Sequence, residues 1–166
     1  MKIRQVVGLA LVVLLSGCAT QYQRQSFTGG FTETQLDHNV YRVTFKGNGY
    51  TSAERAADLS LLRCAELTIE KGYAYFAVVD SRENTSHSTF TTPTQSYTTG
   101  SAYASGRSVY GSATTTTYGG HTYLIAKPSS SNTIVLIKNR DEFQGYSYDA
   151  KFLFGSLSAQ YGVEKK

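Results

Sequence analysis

The chain lacks an apolar run long enough to cross a bilayer. Its longest, Val6 to Leu15, has ten residues, against the roughly 20 that a spanning helix needs. It also lacks positive clusters: sixteen Lys and Arg are dispersed over 166 residues, and only Lys165-Lys166 gathers two of them at the end. That argues against the basic stripe of a nucleic-acid binder. Histidine is scarce as well. His38, His87 and His121 lie 49 and 34 residues apart, and Asp37-His38 is a single adjacent pair, so no metal-ligand spacing is present. Cysteine occurs twice, at Cys18 and Cys64.

What is present begins at the N-terminus. Lys2 and Arg4 precede the apolar run, and Ser16-Gly17 then supplies a small-residue site before Cys18. This three-part pattern is that of a secretory signal peptide over 1–17. Leu15-Ser16-Gly17-Cys18 resembles the bacterial lipobox, which implies cleavage between Gly17 and Cys18 and covalent lipid on Cys18, both a diacylglyceryl group on sulfur and an N-acyl chain. Ala19, rather than Asp, follows the cysteine, and the same resemblance then implies an outer-membrane anchor facing the periplasm. Apart from that lipid no cofactor is expected. With Cys18 acylated, Cys64 has no disulfide partner and the fold must rest on packing. Losing Lys2 and Arg4 with the signal lowers the formal charge from +4 to +2, which further weakens any case for nucleic acid as a partner.

Residues 18–38 read as a lipidated polar tether, with Tyr22, Phe27 and Phe31 available for local docking. Residues 39–166 read as a single domain. Val40 to Lys46 alternates, with Tyr41, Val43 and Phe45 on one face, as a half-buried strand does. Gly47-Asn48-Gly49 turns the chain, and Thr51 with Glu54 forms a capping box for a helix closed by Gly72. Its buried face is expected to hold Ala53, Ala57, Ser60, Leu61, Cys64, Ala65 and Thr68, opposite Arg55, Asp58, Arg63, Glu66 and Glu70. Tyr73 to Asp80 supplies the next strand. His121 to Lys127 and Thr133 to Lys138 form a hairpin turning at Pro128-Ser129-Ser130-Ser131-Asn132, and the all-apolar Ile134 to Ile137 marks a central strand. Asp149 caps a last helix, with Ala150, Leu153, Phe154, Leu157 and Tyr161 at helical spacing, which Gly162 closes. The fold class is α+β: two helices on one face of a mainly antiparallel sheet of four or more strands.

Residues 84–120 form a low-complexity insertion. Arg107 is the sole Lys, Arg, Asp or Glu among its 37 residues, while eleven Thr, seven Ser and five Gly fill most of the rest. A frayed β-arm and a disordered loop both fit this composition, and disorder near the middle is the favoured expectation. Tyr97, Tyr103, Tyr110 and Tyr118 recur through it at spacings of six to eight. Aromatic rings among small hydrogen-bonding residues make adaptable contact surface, so these four are the candidate contact residues. A solvated spacer and edge pairing with a partner's strand are the competing readings.

The segments QLDHNVYRV (Gln35 to Val43), YRVTFKGNGYTSAER (Tyr41 to Arg55), LLRCAEL (Leu61 to Leu67) and GYAYF (Gly72 to Phe76) together resemble a family of proteobacterial lipoproteins of uncharacterised function. The resemblance covers Gly30 to Ser81 closely and the C-terminal part loosely. It departs at Cys64, where that family has a small residue such as Ala, and it brings no activity with it.

No catalytic residue is assigned. A nucleophilic arrangement would have to draw on Cys64, His38, His87 or His121, none of which sits in a motif. A buried Cys64 is core packing, with its thiol pKa raised. Gly47-Asn48-Gly49 before a helix has neither the GxGxxG spacing nor a Walker lysine of a phosphate loop. Arg63 and Glu66 are read as ordinary helix-surface pairs with Arg55, Asp58 or Glu70, with a shared role for Asn48, Arg63 and Glu66 at the strand-helix junction as the sharper alternative. The expected class is therefore a non-enzymatic envelope binding or scaffold protein, anchored through Cys18, whose partner is an envelope protein or cell-wall material. The alternative is an envelope hydrolase or transferase acting on wall or lipid precursors.

Overall fold

The computed structural model describes residues 19–164; the expected signal peptide, its Gly17–Cys18 cleavage site and the lipidation site at Cys18 lie outside them. In chain order the strands and α-helices are β1 (Gly30–Asp37), β2 (Val40–Lys46), α1 (Ala53–Glu70), β3 (Tyr75–Thr91), β4 (Gln95–Ser105), β5 (Ser108–Tyr118), β6 (Thr122–Ile137), β7 (Tyr148–Asp149) and α2 (Ala150–Tyr161). A five-stranded sheet runs β1-β2-β6-β3-β7, and β4-β5 form a two-stranded sheet. The fold is α+β. The chain divides into two compact units, one made of the residues up to Ser86 with those from Ala126 onward, the other of His87–Ile125.

In the first unit β1 and β2 pair antiparallel with Phe31 opposite Phe45, and β2 and β6 pair antiparallel with Tyr41 opposite Ile134 and Val43 opposite Asn132. Alternation along β2 then buries Tyr41, Val43 and Phe45 and leaves Arg42 and Lys46 in water. These residues join Phe31, Phe76, Ile134 and Leu136 and the inner faces of both helices in one hydrophobic cluster. Burying such aromatic and aliphatic side chains is worth about 1.5–3 kcal/mol each, which is how a chain without a disulfide among its described residues holds together. β6 occupies the middle of the sheet, as the apolar run Ile134 to Ile137 implies.

Local signals set the helix ends. Ser52, rather than Thr51, caps α1, its hydroxyl accepting from the Arg55 amide at 3.1 Å; Glu54 sits in the first turn, where its charge favours the helix dipole. At the other end the Gly72 amide donates to the Ile69 carbonyl and the Tyr73 amide to that of Thr68, both at 3.0 Å. That pair of bonds is a Schellman motif. Asp149 caps α2 through the Phe152 amide at 3.0 Å, and Gly162 ends it in the left-handed region.

Three expectations change. The tether over 18–38 is not an unstructured spacer throughout: 30–37 is the edge strand β1, and Thr20 is buried. The two C-terminal strand segments are one strand, because Ser130 and Asn132 face the core opposite Phe45 and Val43. Asn132 Nδ2 donates there to Ser60 Oγ at 3.0 Å on α1, while Ser131 on the other face bonds the Thr44 hydroxyl at 2.9 Å. The buried face of α1 is also wider than expected. Ser60, Cys64, Ala65 and Thr68 are buried as read, whereas Ala57 and Leu61 are half-buried and Ala53 is exposed, and Ala56, Leu59, Leu62, Leu67 and Arg63 join the buried set because the helix packs against both the sheet and α2.

Candidate functional site

The second unit is the hairpin β4-β5 with the adjoining ends of β3 and β6, joined through 92–94 and 119–121, in place of the disorder expected near the middle of the insertion. Ser105 pairs with Ser108 around the two-residue turn Gly106-Arg107, with Gly106 at φ +63°. Glycine at the first turn position allows the tight connection that matches strand twist. From there eleven residue pairs run down to Gln95 opposite Tyr118. Residues directly opposite in such a ladder share a face, and alternate residues along each strand share it too. Tyr97, Tyr103, Tyr110 and Tyr118 therefore all fall on one face. Tyr103 lies directly opposite Tyr110, their rings stacked at 5.6 Å. Tyr97 faces Thr116, one pair along from Tyr118 on that face, which makes the two a diagonal couple within reach of each other.

Between these two aromatic couples lie only hydroxyl residues: Thr99 opposite Thr114 and Ser101 opposite Ser112. The reverse face is made of small groups. Gly100 lies opposite Ala113, Ala102 opposite Gly111 and Ala104 opposite Val109, and the pairs Ser96–Thr117 and Thr98–Thr115 bond hydroxyl to hydroxyl at 3.0 and 2.8 Å. Every residue of β4 and β5 is exposed, and the four tyrosines keep 54–68% of their surface in water. The sequence held a signal for this arrangement. Spacings of six and eight are even, so each couples tyrosines within one strand, whereas the spacing of seven bridges a two-residue turn and restores the same face.

Two further side-chain nodes lie in the first unit. At the start of the described chain Thr20 is 1% exposed. Its amide donates to Thr51 Oγ1 at 3.1 Å, its hydroxyl donates to the Thr28 carbonyl at 3.0 Å and accepts from the Asn48 amide at 2.9 Å. Gly29 makes this approach feasible: a Cβ there would lie 2.3 Å from the Lys46 carbonyl oxygen and 2.9 Å from Thr20 Cγ2. Tyr22 and Phe31 dock as expected, their rings 5.0 Å apart. Phe27 does not, standing wholly exposed at the tip of the Ser26–Gly29 turn.

The second node corrects the surface reading of Arg63. This residue is 4% exposed. Nε donates to Glu33 at 2.8 Å, Nη1 to Glu66 at 2.5 Å and to Glu70 at 2.8 Å, and Nη2 to Glu70 at 2.9 Å. The partner that sequence reasoning missed is Glu33, which alternation places on the inward face of β1 opposite Val43. Phe31 lies beneath the guanidinium at 4.7 Å. Burial would lower the Arg63 pKa, but the bonds to Glu70, Glu33 and Glu66 outweigh it and raise it further. Tyr22 donates to Glu66 at 2.5 Å, and burial followed by that bond raises the phenol well above its ordinary range. Arg63 and Glu66 thus act together toward the C-terminal half of α1, while Asn48 serves the separate node before its N-terminus. The arrangement is a structural clasp between β1 and α1.

The remaining candidates are not gathered into one place. Cys64 is wholly buried, and burial raises its thiol pKa, as the helix reading expects. His38 sits 3.2 Å from Asp37 on open surface, and its backbone and ring bonds hold that carboxylate below the usual range. His87 and His121 are exposed. A surface hollow of about 470 Å³ is lined by Arg140, Tyr146, Ser147, Tyr148, Asp149, Phe152 and Leu153; Asp149 is committed there to capping α2 and Arg140 lies over the Tyr75 ring. Among the described residues no group of three or more His, Cys, Asp or Glu is placed to hold a metal ion. No helix of the described residues is long and apolar enough to cross a membrane. Comparison with protein-family models, curated proteins and solved structures gave no match.

Proposed function

We propose that this chain is a binding or scaffold protein of the bacterial envelope, anchored by lipid on Cys18 at the periplasmic face of the outer membrane, with no catalytic step of its own. The observation that carries the reading is the gathering of Tyr97, Tyr103, Tyr110 and Tyr118 on one exposed face of β4-β5. Tyrosine offers a large rigid contact area at low entropic cost, and neighbouring Ser and Thr supply adaptable hydrogen bonds. The absence of charge on both strands leaves nothing to repel a neutral or polar partner, so an envelope protein or cell-wall material suits it. A hydrolase would instead need His beside a carboxylate inside a cleft. The His38–Asp37 pair lies in open solvent.

Replacing residues 95–118 by a short Gly-Ser turn is expected to leave the first unit folded, with its cooperative melting intact, and to abolish crosslinked adducts formed in intact cells. Recovery of the same adducts with the shortened chain would make β4-β5 a spacer and overturn the proposal.

A further inference from the structure

We infer that the Thr20 node seats the domain directly on the bilayer, with Phe27 and Tyr50 entering the lipid interface beside the anchor. The inference rests on the reading that Cys18 carries lipid. From Cys18 to Thr20 the chain advances two residues, which reach at most about 7 Å when extended. A flexible tether of twenty residues would instead reach roughly 25 Å. The polar layer of one leaflet is about 5–7 Å deep. An acylated Cys18 therefore holds the surface around Thr20 within the depth of the headgroups.

That surface carries what an interface accepts. Thr20 binds the Thr28 carbonyl, the Asn48 amide and the Thr51 hydroxyl, so Phe27 and Tyr50 each stand next in sequence to a residue bonded to it. Phe27 is wholly exposed and Tyr50 is 76% exposed. Neither is on a loose loop. Ser26 and Gly29 exchange backbone bonds of 2.9 and 3.2 Å around Phe27, and the Tyr50 amide donates to Asn48 Oδ1 at 3.0 Å. Exposed Arg24 and Lys46 flank the same node, Arg24 bridging to Phe31 and the Lys46 carbonyl lying against Gly29. Aromatic rings favour the level of the headgroups, and basic side chains are drawn to anionic ones. The partner is thus a phospholipid surface bearing negative charge, bound beside the acyl chains.

The chain contains no tryptophan, so a single introduced indole reports its own depth. Lipidated full-length variants Phe27→Trp, Tyr50→Trp and Phe152→Trp are reconstituted into vesicles of phosphatidylethanolamine and phosphatidylglycerol with brominated acyl chains. Phe152 lies on α2, directly after the opposite sheet edge at β7, and is as exposed as Tyr50. Indoles at 27 and 50 are expected to shift to shorter wavelength and lose most of their emission, while that at 152 keeps both. A vesicle-bound chain with acyl mass on Cys18 but no quenching at 27 and 50, or equal quenching at all three positions, overturns the docking inference and leaves the anchor standing. Absence of acyl mass on Cys18 overturns the anchor and the docking together.

Discussion

Arg63→Ala is expected to destabilise the first unit by about 3–5 kcal/mol, the range for breaking a buried ion pair from one side. The size of the effect follows from what is left behind. Glu33 and Glu66 keep 17% and 22% of their side chains exposed, so without the guanidinium two carboxylates share a largely desolvated space, and the Phe31 ring loses its covering cation. Removing only Glu70, whose side chain is 49% exposed, leaves Arg63 two partners and is expected to cost about 1 kcal/mol or less. Urea unfolding followed by far-ultraviolet circular dichroism separates the two variants. A loss below about 1 kcal/mol for Arg63→Ala would mean that the clasp contributes little.

The second large effect concerns the anchor. Cys18→Ala is expected to move the protein from the membrane fraction to the soluble fraction. A buried methylene contributes about 0.8 kcal/mol, so one chain of about fourteen carbons contributes on the order of 10 kcal/mol and two or three chains hold stably. Phe27 and Tyr50, each adding at most about 1.5–3 kcal/mol even if wholly buried, cannot replace that. Fractionation of cells expressing each form decides the matter, and continued membrane retention of Cys18→Ala would refute the lipid anchor.

Much of the first unit was legible because its signals are local. Alternation in Tyr41 to Phe45, the Asp149 cap, and glycines just beyond both helices each act within a few residues. What escaped the sequence depends on partners far along the chain. β1 buries Phe31 and little else toward its outer end, as an edge strand does, so no sustained alternation marks it. Ser130 and Asn132 look like turn residues until Ser60, 72 positions from Asn132, accepts the amide. Arg63 looks like helix surface until Glu33, 30 positions away, meets it from an inward position on β1. Composition alone marks the tyrosines as candidate contact residues, but their common face needs the register that the Gly106-Arg107 turn fixes. A polar insertion read as disordered can therefore be ordered by ladder bonds and cross-strand hydroxyl pairs without any core.

The common face also gives the most direct test of the contact surface. A photoreactive phenylalanine analogue is placed singly at Tyr103 or Tyr110 on one face, and at Ala104 or Val109 on the other, in the full chain in intact cells. All four positions are exposed and sit in adjacent rungs of one ladder, so they differ chiefly in the direction they face. Illumination is expected to yield a discrete adduct from 103 and 110 and none from 104 and 109. Adducts of equal yield from both faces, or from neither, would contradict the assignment of the tyrosine face as the binding surface.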